Sequence, residues 1–351
     1  MRIAFVGHAF HRRTRSSGFF LDILRRLGTV TELVSSPDAI GLADDPIVAH
    51  YFEASYDLWV FYQTEYVAAR LIPHRLRNAV LVPMEDGVHA LPDDHLRQFV
   101  GCRFVTFCRA LHERLQRLDQ RSFAFQYWPE PAPPIERTFD RGSWSAFFWE
   151  RRPRDVPNLA SVLAQCRALG IGRLHVHAAP DVAADGPAAG YAGRNRVAGV
   201  ELTTSTWFED RARYDELAGA PQFVFAPRLR EGIGLPILEA MARGQVVLAP
   251  DLPTANEVVG HLASGILYDP ARPAALPELT AERTAELAVA ARRKAAFGRR
   301  EWEEDVARLT SVLLDDGRRW PDGDVAAHLG VRLRRAARGR RSGQPRGSPP
   351  A

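Results

Sequence analysis

The residues best suited to chemistry stand together between Gln222 and Gly260, in QFVFAPRLREGIGLPILEAMARGQVVLAPDLPTANEVVG. An apolar strand ends at Ala226, and a short basic loop runs from Pro227 to Arg230. Glu231, Gly232, Ile233, Gly234, Leu235 and Pro236 then open a helix. Glycines at such a turn let a ligand approach the backbone closely. The free amides of the helix N-terminus carry partial positive charge and favour an anion such as a diphosphate. Pro236 suits the first helical turn, where its missing N–H is no loss. Glu239 follows about one turn into the helix. Glu231 and Glu239, eight residues apart, suit the hydroxyls of a polyol such as a sugar or ribose. Gly244 ends the helix, and QVVLAP returns the chain to a sheet.

The elements that must position these residues are legible in the apolar periodicity. Before residue 130, short apolar runs at Ile3–Gly7, Val30–Val34, Asp57–Tyr62, Ala79–Pro83, Arg103–Phe107 and Ser122–Tyr127 read as strands. Gly18–Leu27 has the 3.6-residue period of an amphipathic helix, and Tyr66–Ile72 reads as another. Wholly apolar strands separated by helices predict a parallel sheet covered on both faces. Pro129–Arg141 holds four prolines and reads as a linker. The pattern then restarts with strands at Ser145–Trp149, Arg173–His177, Val200–Thr203, Gln222–Ala226 and Val246–Ala249. Helices are predicted at Pro157–Leu169, Phe208–Leu217 and Pro236–Arg243, a short one begins at Asn256–Gly260, and Ala281–Lys294 and Glu301–Leu314 follow.

The fold class is therefore α/β, with two Rossmann-like domains facing across a cleft. The predicted divisions are an N-terminal domain over 1–130, a linker over 131–143 and a second domain over 144–300. Terminal helices occupy 301–330, with packing back on the N-terminal domain as an option, and a disordered basic tail covers 331–351. In open α/β sheets the cleft lies at the carboxyl ends of strands. That places the loop GHAFHRRTRSSGFF in it, with His8, His11, Arg12, Arg13, Arg15, Ser16 and Ser17. Gly7 and Gly18 are eleven apart, so the loop lacks the G-x-G-x-x-G spacing of a dinucleotide fold. Its Arg and Phe residues suit an anionic or lipid-linked ligand. Gln63 and Glu65 after the third strand are similarly placed. Asp93-Asp94 reads as the cap of a helix, and no metal is expected. No constellation suggests a serine or cysteine nucleophile.

Composition narrows the function classes. The chain has 351 residues, 46% hydrophobic and 25% charged, as in an ordinary globular protein. No run approaches the ~20 apolar residues of a membrane span. The opening MRIAFVGHAF is too short in its apolar run for a secretion signal, so a cytoplasmic location is expected. The net charge of +4 belongs to the tail. Residues 331–351 hold seven Arg and no acid, and without them 39 cations face 42 carboxylates. A nucleic-acid-binding body is thus not indicated. Only Lys294 among the 46 basic residues is a lysine. Cys102, Cys108 and Cys166 show no CxxC spacing and read as buried thiols.

The segment EGIGLPILEAMARGQVVLAPDLPTANEVV resembles the donor-binding signature of retaining GT-B glycosyltransferases, notably glycosyltransferase family 4. The resemblance covers about thirty residues and suits the two-domain layout; it is weak over the first 130. It implies that Glu231 contacts hydroxyls of a donor sugar and that Gly232, Ile233, Gly234 and Leu235 offer amides to sugar or phosphate. It implies that Glu239 holds the ribose of a nucleotide-diphosphate sugar. The family places cations after the first strand of the second domain, here Arg151 and Arg152 with Arg154 beyond, although its usual G-R and K-G are absent. Family members often carry a His or Asp near VPMEDGVHA, so Asp86 and His89 are the candidates facing the reaction centre. The implied reaction moves a sugar, with retention, to a glycan or lipid-linked acceptor, without a cofactor beyond the donor. Cell-surface polysaccharide synthesis and peripheral contact with an anionic membrane at its inner face are further expectations. An epimerase or phosphorylase of the same fold, or a non-catalytic assembly subunit, are the alternatives.

Overall fold

The computed structural model describes residues 1–35, 46–72, 76–133, 135–181 and 195–315. The expected tail lies outside them. The first sheet is built from β1 (Arg2–His8), β2 (Thr29–Ser35), β3 (Leu58–Tyr62), β4 (Ala79–Val82), β5 (Arg103–Thr106) and β6 (Arg121–Ala124). Its order is β2-β1-β3-β4-β5-β6, every pair parallel. Helices α1 (Ala9–Thr14), α2 (Gly18–Leu27), α3 (Pro46–Glu53), α4 (Glu65–Leu71), α5 (Glu85–Val88), α6 (Asp93–Arg97) and α7 (Arg109–Arg117) connect the strands. The second sheet contains β7 (Ser145–Trp149), β8 (Arg173–His177), β9 (Arg196–Val197), β10 (Val200–Ser205), β11 (Phe223–Phe225), β12 (Val246–Pro250) and β13 (Ile266–Tyr268). Its order is β13-β12-β11-β7-β8-β10-β9, and only the short β9 runs antiparallel. With it go α8 (Leu159–Leu169), α9 (Arg211–Gly219), α10 (Leu235–Ala242), α11 (Ala255–Val258) and α12 (Ala281–Leu314).

The central strands are apolar on both faces because helices cover both. All five residues of β3 and all five of β12 are buried. Helix ends follow local chemistry. Asn158 and Ser161 form a reciprocal capping box at the start of α8, and Gly170 closes it in the left-handed region at φ 77°. The Asp93-Asp94 expectation is corrected: Pro92 holds the N-cap position of α6, no side chain caps it, and Asp93 and Asp94 pair with Arg114 and Arg97. The three thiols are buried.

The segment from β1 to Gly18, expected as a loop, forms the one-and-a-half-turn α1, capped by the His8 ring accepting from the Phe10 amide at 3.2 Å. The two expected terminal helices are one 34-residue helix, α12. The stretch expected to separate them, between Lys294 and Glu301, is helical; a Cβ on its Gly298 would overlap the Trp128 indole, so the glycine lets the helix pass the end of the first domain. Before it, Leu287 and Ala288 pack on the second domain's core. After it, Trp302, Leu309, Val312 and Leu313 join the apolar cluster containing Phe20 and Phe107. Arg103, buried in β5, donates to the Val312 carbonyl at 2.9 Å. The proline-rich segment is tied to the second domain through Arg137, which donates to the Arg243 and Gly219 carbonyls.

Candidate functional site

Both sheets turn the carboxyl ends of their strands toward one another, enclosing a cavity of about 950 Å³. In each sheet the chain reverses its direction of travel at one pair of neighbours: β1 with β3 in the first, β7 with β11 in the second. Such switch points are where open α/β sheets bind ligands. The residues that follow these four strands are His8 to Ser16, Gln63 with Glu65, Arg151 with Arg152, and Arg228 to Gly234, and all these groups contribute to the cavity.

The turn after β11 is held from below. Thr254, just before α11, donates its hydroxyl to the Glu231 carbonyl. Gly234 is the N-cap of α10 at φ 78°, and no side chain caps that helix. Its N-terminus therefore faces the cavity with its amides uncovered by any capping group. Glu231 is 5% exposed. One carboxylate oxygen, Oε2, stands 3.6 Å from Arg151 Nη1, and the other, Oε1, has no hydrogen-bond partner. Burial raises the Glu231 pKa, opposed by the nearby Arg151 and Arg228 guanidinia. A Cβ at Gly232 would meet Met84 of the first domain at 2.9 Å, so this glycine also lets the two domains approach closely.

Arg151 is the hub of the second domain's wall. Its Nε lies 2.7 Å from Asp181 Oδ1, and its guanidinium sits 5.0 Å from the ring centroids of Trp149 and Phe10. Arg152 is more exposed and reaches Asp181 at 3.8 Å and Asp155 at 3.6 Å. Arg154 does not line the cavity. Glu239 lines it, but is not waiting empty: Arg211 Nη2 lies 2.9 Å from both of its oxygens, and Arg243 Nη2 3.4 Å from one. Beside this pair, Trp149, His177, Trp207, Phe208 and Tyr214 make an aromatic wall, with His177 stacked on Phe208 at 5.2 Å. Burial lowers His177 to about 4, keeping it neutral.

The first domain supplies the opposite wall. Asp86 Oδ2 accepts from Arg228 at 2.6 Å and Oδ1 from Gln63 at 3.4 Å, so this carboxylate bridges the two domains. The Glu85–Arg230 pair at 3.0 Å does the same. The Glu257 carboxylate accepts from the Arg109 and Ala110 amides at 2.6 and 3.0 Å, capping α7 from the other domain. Glu65 is buried with Oε1 unpartnered, and burial pushes its pKa to about 8. It is the first residue of α4, with Thr64 in the N-cap position. His89 is also corrected. It is exposed, turns Nδ1 toward the Glu85 carbonyl at 3.2 Å, and does not line the cavity.

The structure therefore brings together Glu231, Gly232, Ile233, Gly234, Leu235, Glu239, Arg151, Arg152 and Asp86, and leaves His89 outside. Sequence reading missed Asp181, Arg211 and the aromatic wall. Asp181 and Trp207 stand four and two residues past the ends of β8 and β10, so the rule of strand carboxyl ends could have found both. The Arg211–Glu239 pairing joins two helices 28 residues apart and left no local signal.

Residues 201–284 match the family described as glycosyl transferases group 1. No curated protein matches the chain in sequence. Among solved structures, Alr3699/HepE of Anabaena in complex with UDP and glucose is 15% identical, with a TM-score of 0.54, covering 88% of this chain and 100% of its own. A glycosyltransferase from Rickettsia africae ESF-5 is 12% identical, with a TM-score of 0.58, covering 90% and 99%. A trehalose-6-phosphate synthase, described with bisubstrate glycomimetics, is 15% identical, with a TM-score of 0.59, covering 89% and 99%. The fold is GT-B.

Proposed function

We propose that this chain is a retaining glycosyltransferase that moves a sugar from a nucleotide-diphosphate sugar to a glycan or lipid-linked acceptor. The observation that carries the reading is Glu231: a carboxylate buried at a switch point, one oxygen without a partner, beside a helix N-terminus that no side chain caps. An unpaired buried oxygen costs about 1–3 kcal/mol, a cost that a sugar hydroxyl donating to it would offset. The uncapped α10 amides and Arg151 would face the diphosphate, and Glu239 the ribose. The complex of HepE with UDP-glucose supports a uridine donor by analogy of fold.

In this reading the bond between the sugar's anomeric carbon and the diphosphate oxygen breaks. The acceptor oxygen bonds to that carbon on the same face, and its proton passes to the departing phosphate. Negative charge grows on the leaving group, where preorganised cations and amides lower the barrier most. Arg151 is suited to this because Asp181, Trp149 and Phe10 fix its guanidinium. The donor carries its own leaving group, so no further cofactor is invoked. Asp86 is assigned to positioning, since Arg228 and Gln63 already engage both its oxygens. Assembly of cell-surface polysaccharide at the cytoplasmic side of a membrane is the setting we favour.

Incubation with labelled UDP-glucose and other sugar nucleotides tests the reading, with products resolved by linkage. Transfer with retained anomeric configuration is expected. Epimerised donor, phosphate-dependent cleavage, or no turnover with any sugar nucleotide would overturn it.

A further inference from the structure

The six arginines lining the main cavity divide by origin. Arg151, Arg152, Arg211 and Arg228, from the second domain, each stand within 4 Å of a carboxylate. Arg13 and Arg15, from α1 and the residue that ends it, pair with no carboxylate among the described residues, and neither does Arg12 beside them. Arg13 Cζ stands 3.9 Å from the Trp207 ring centroid. Arg12, and Arg15 a second time, line a side cavity of about 250 Å³ between α1, the start of α2 and the β1–β2 edge. It shares His8, His11 and Arg15 with the main cavity and none of the Glu231–Glu239 turn.

Three features of this side cavity bear on what fits it. Its volume lies below the ~300–1,000 Å³ of sites for drug-sized ligands, so it holds a small group and not a nucleotide. Ser17 lines it while only 4% exposed, and its hydroxyl has no partner among the described residues. Glu32, the carboxylate at its rim, is already held by Arg25 at 2.8 Å, so it does not neutralise Arg12 or Arg15. Two planar guanidinium forks and a hydroxyl present donors in several directions, the complement of a tetrahedral oxyanion. Apolar side chains, Phe5, Leu21 and Leu33 among them, form the rest of the wall and strengthen charge pairing there.

We propose that this side cavity is an oxyanion subsite that takes a phosphate ester carried by the acceptor, with Arg12, Arg15 and Ser17 as its ligands. The assignment to the acceptor rests on the donor reading above, because the donor's residues occupy the other wall. The ester would seat in the side cavity through Arg15, at the junction, while the sugar to which it is attached extends into the main cavity.

Calorimetric titration of the full chain with glucose 6-phosphate, glucose, inorganic phosphate and UDP tests this. The variant is Arg12→Gln with Arg15→Asn, since asparagine tolerates the left-handed backbone of residue 15, φ 56°. Both side chains are exposed, and an unchanged melting temperature confirms folding. Glucose 6-phosphate should bind the parent, also in the presence of saturating UDP, far more tightly than glucose. The double variant should weaken it ten- to a hundredfold and leave UDP affinity within twofold. Undiminished binding to the variant overturns the proposal, as does displacement of glucose 6-phosphate by UDP, which would place the anion in the diphosphate site. Binding of inorganic phosphate without the ester overturns the acceptor assignment. Failure of every nucleotide to bind, with Arg12-dependent ester binding intact, sustains the subsite and refutes the donor reading alone.

Discussion

Glu239→Gln keeps the side chain's shape and removes its charge. Its carboxylate has two duties to separate: it holds Arg211, and in the proposed reading it holds the ribose. The first is worth little. The Arg211 side chain is 47% exposed and that of Glu239 23%, so solvent screens the pair, and its loss costs at most about 1 kcal/mol. In a protein of this size that lowers the melting temperature by only about 1–2 °C. The second is worth more. Hydrogen bonds to a charged group contribute about 1.5–3 kcal/mol, and ~1.4 kcal/mol is tenfold, so UDP affinity should fall about ten- to a hundredfold. Glu231→Gln should behave differently. Arg151 keeps its 2.7 Å contact with Asp181, so the phosphate wall stands, and free UDP should bind nearly as before while sugar transfer collapses. Calorimetric titration of both variants with UDP and UDP-glucose separates these outcomes. A Glu239→Gln protein that melts slightly lower yet binds UDP within twofold of the parent would refute the reasoning: the carboxylate would then serve Arg211 alone.

The buried Glu65 makes stability depend on pH. Its folded pKa of about 8 exceeds the ~4.3 of an unfolded glutamate, so between those values the folded chain holds a proton the unfolded chain releases. Stability should fall as pH rises through that window, by on the order of a few kcal/mol, and level off above it. Glu65→Gln should flatten the decline in urea midpoints between pH 5 and 8; an equal decline in the variant would assign the slope to other groups. His11 and His177, both lowered to about 4 by burial, act at the acid end, where stability should drop as pH falls from ~6.5 toward 4. His177→Phe should lessen that drop, and an unchanged acid limb would count against it. Asp86→Asn removes the charge facing the half-buried Arg228 and strains the contact between the domains, at a cost below the ~3–5 kcal/mol of a fully buried pair. The strain should appear as a larger radius of gyration in small-angle scattering, and an unchanged profile would deny the pair its role in closure. Gly298→Ala gains ~1 kcal/mol of helix propensity but overlaps Trp128, and overpacking costs about 1–3 kcal/mol. A raised melting temperature would show that the indole has room to move.

How much was legible follows from the range of the interactions involved. β7, β8 and α2 have the predicted bounds, because an apolar run or a 3.6-residue period is written locally. The Glu231–Gly234 turn was legible for the same reason: acid, glycines and proline are contiguous. α1 was hidden because its helical state depends on the His8 cap and on packing, His11 lying edge-on to Tyr62 at 5.0 Å. α12 was read as two helices because the local pattern weakens between Lys294 and Glu301, while Gly298 in that stretch packs against Trp128, 170 residues away. Asp86 and His89 could not be ranked from VPMEDGVHA alone. Arg228, 142 residues distant, selects the first, and the Glu85 carbonyl turns the second outward. The Arg211 partner of Glu239 was not legible because it belongs to another helix, 28 residues away.

The passage of α12 from one domain to the other has a consequence for the order of events during synthesis. Phe19, Phe107 and Tyr127 meet around Trp302, at ring-centroid distances of 5.7, 6.3 and 5.3 Å. All three leave the ribosome well before that tryptophan. Between Trp128 and Trp302 the ribosome adds some 170 residues, roughly 10–35 s at about 5–20 residues per second. Throughout that interval the first sheet can form, but one of its apolar flanks has no cover from its own half of the chain. The nascent protein must therefore tolerate an aromatic patch on its earlier half until the last helix arrives. A fragment ending at the proline-rich segment would carry that patch permanently, and should be recovered bound to a chaperone or aggregated.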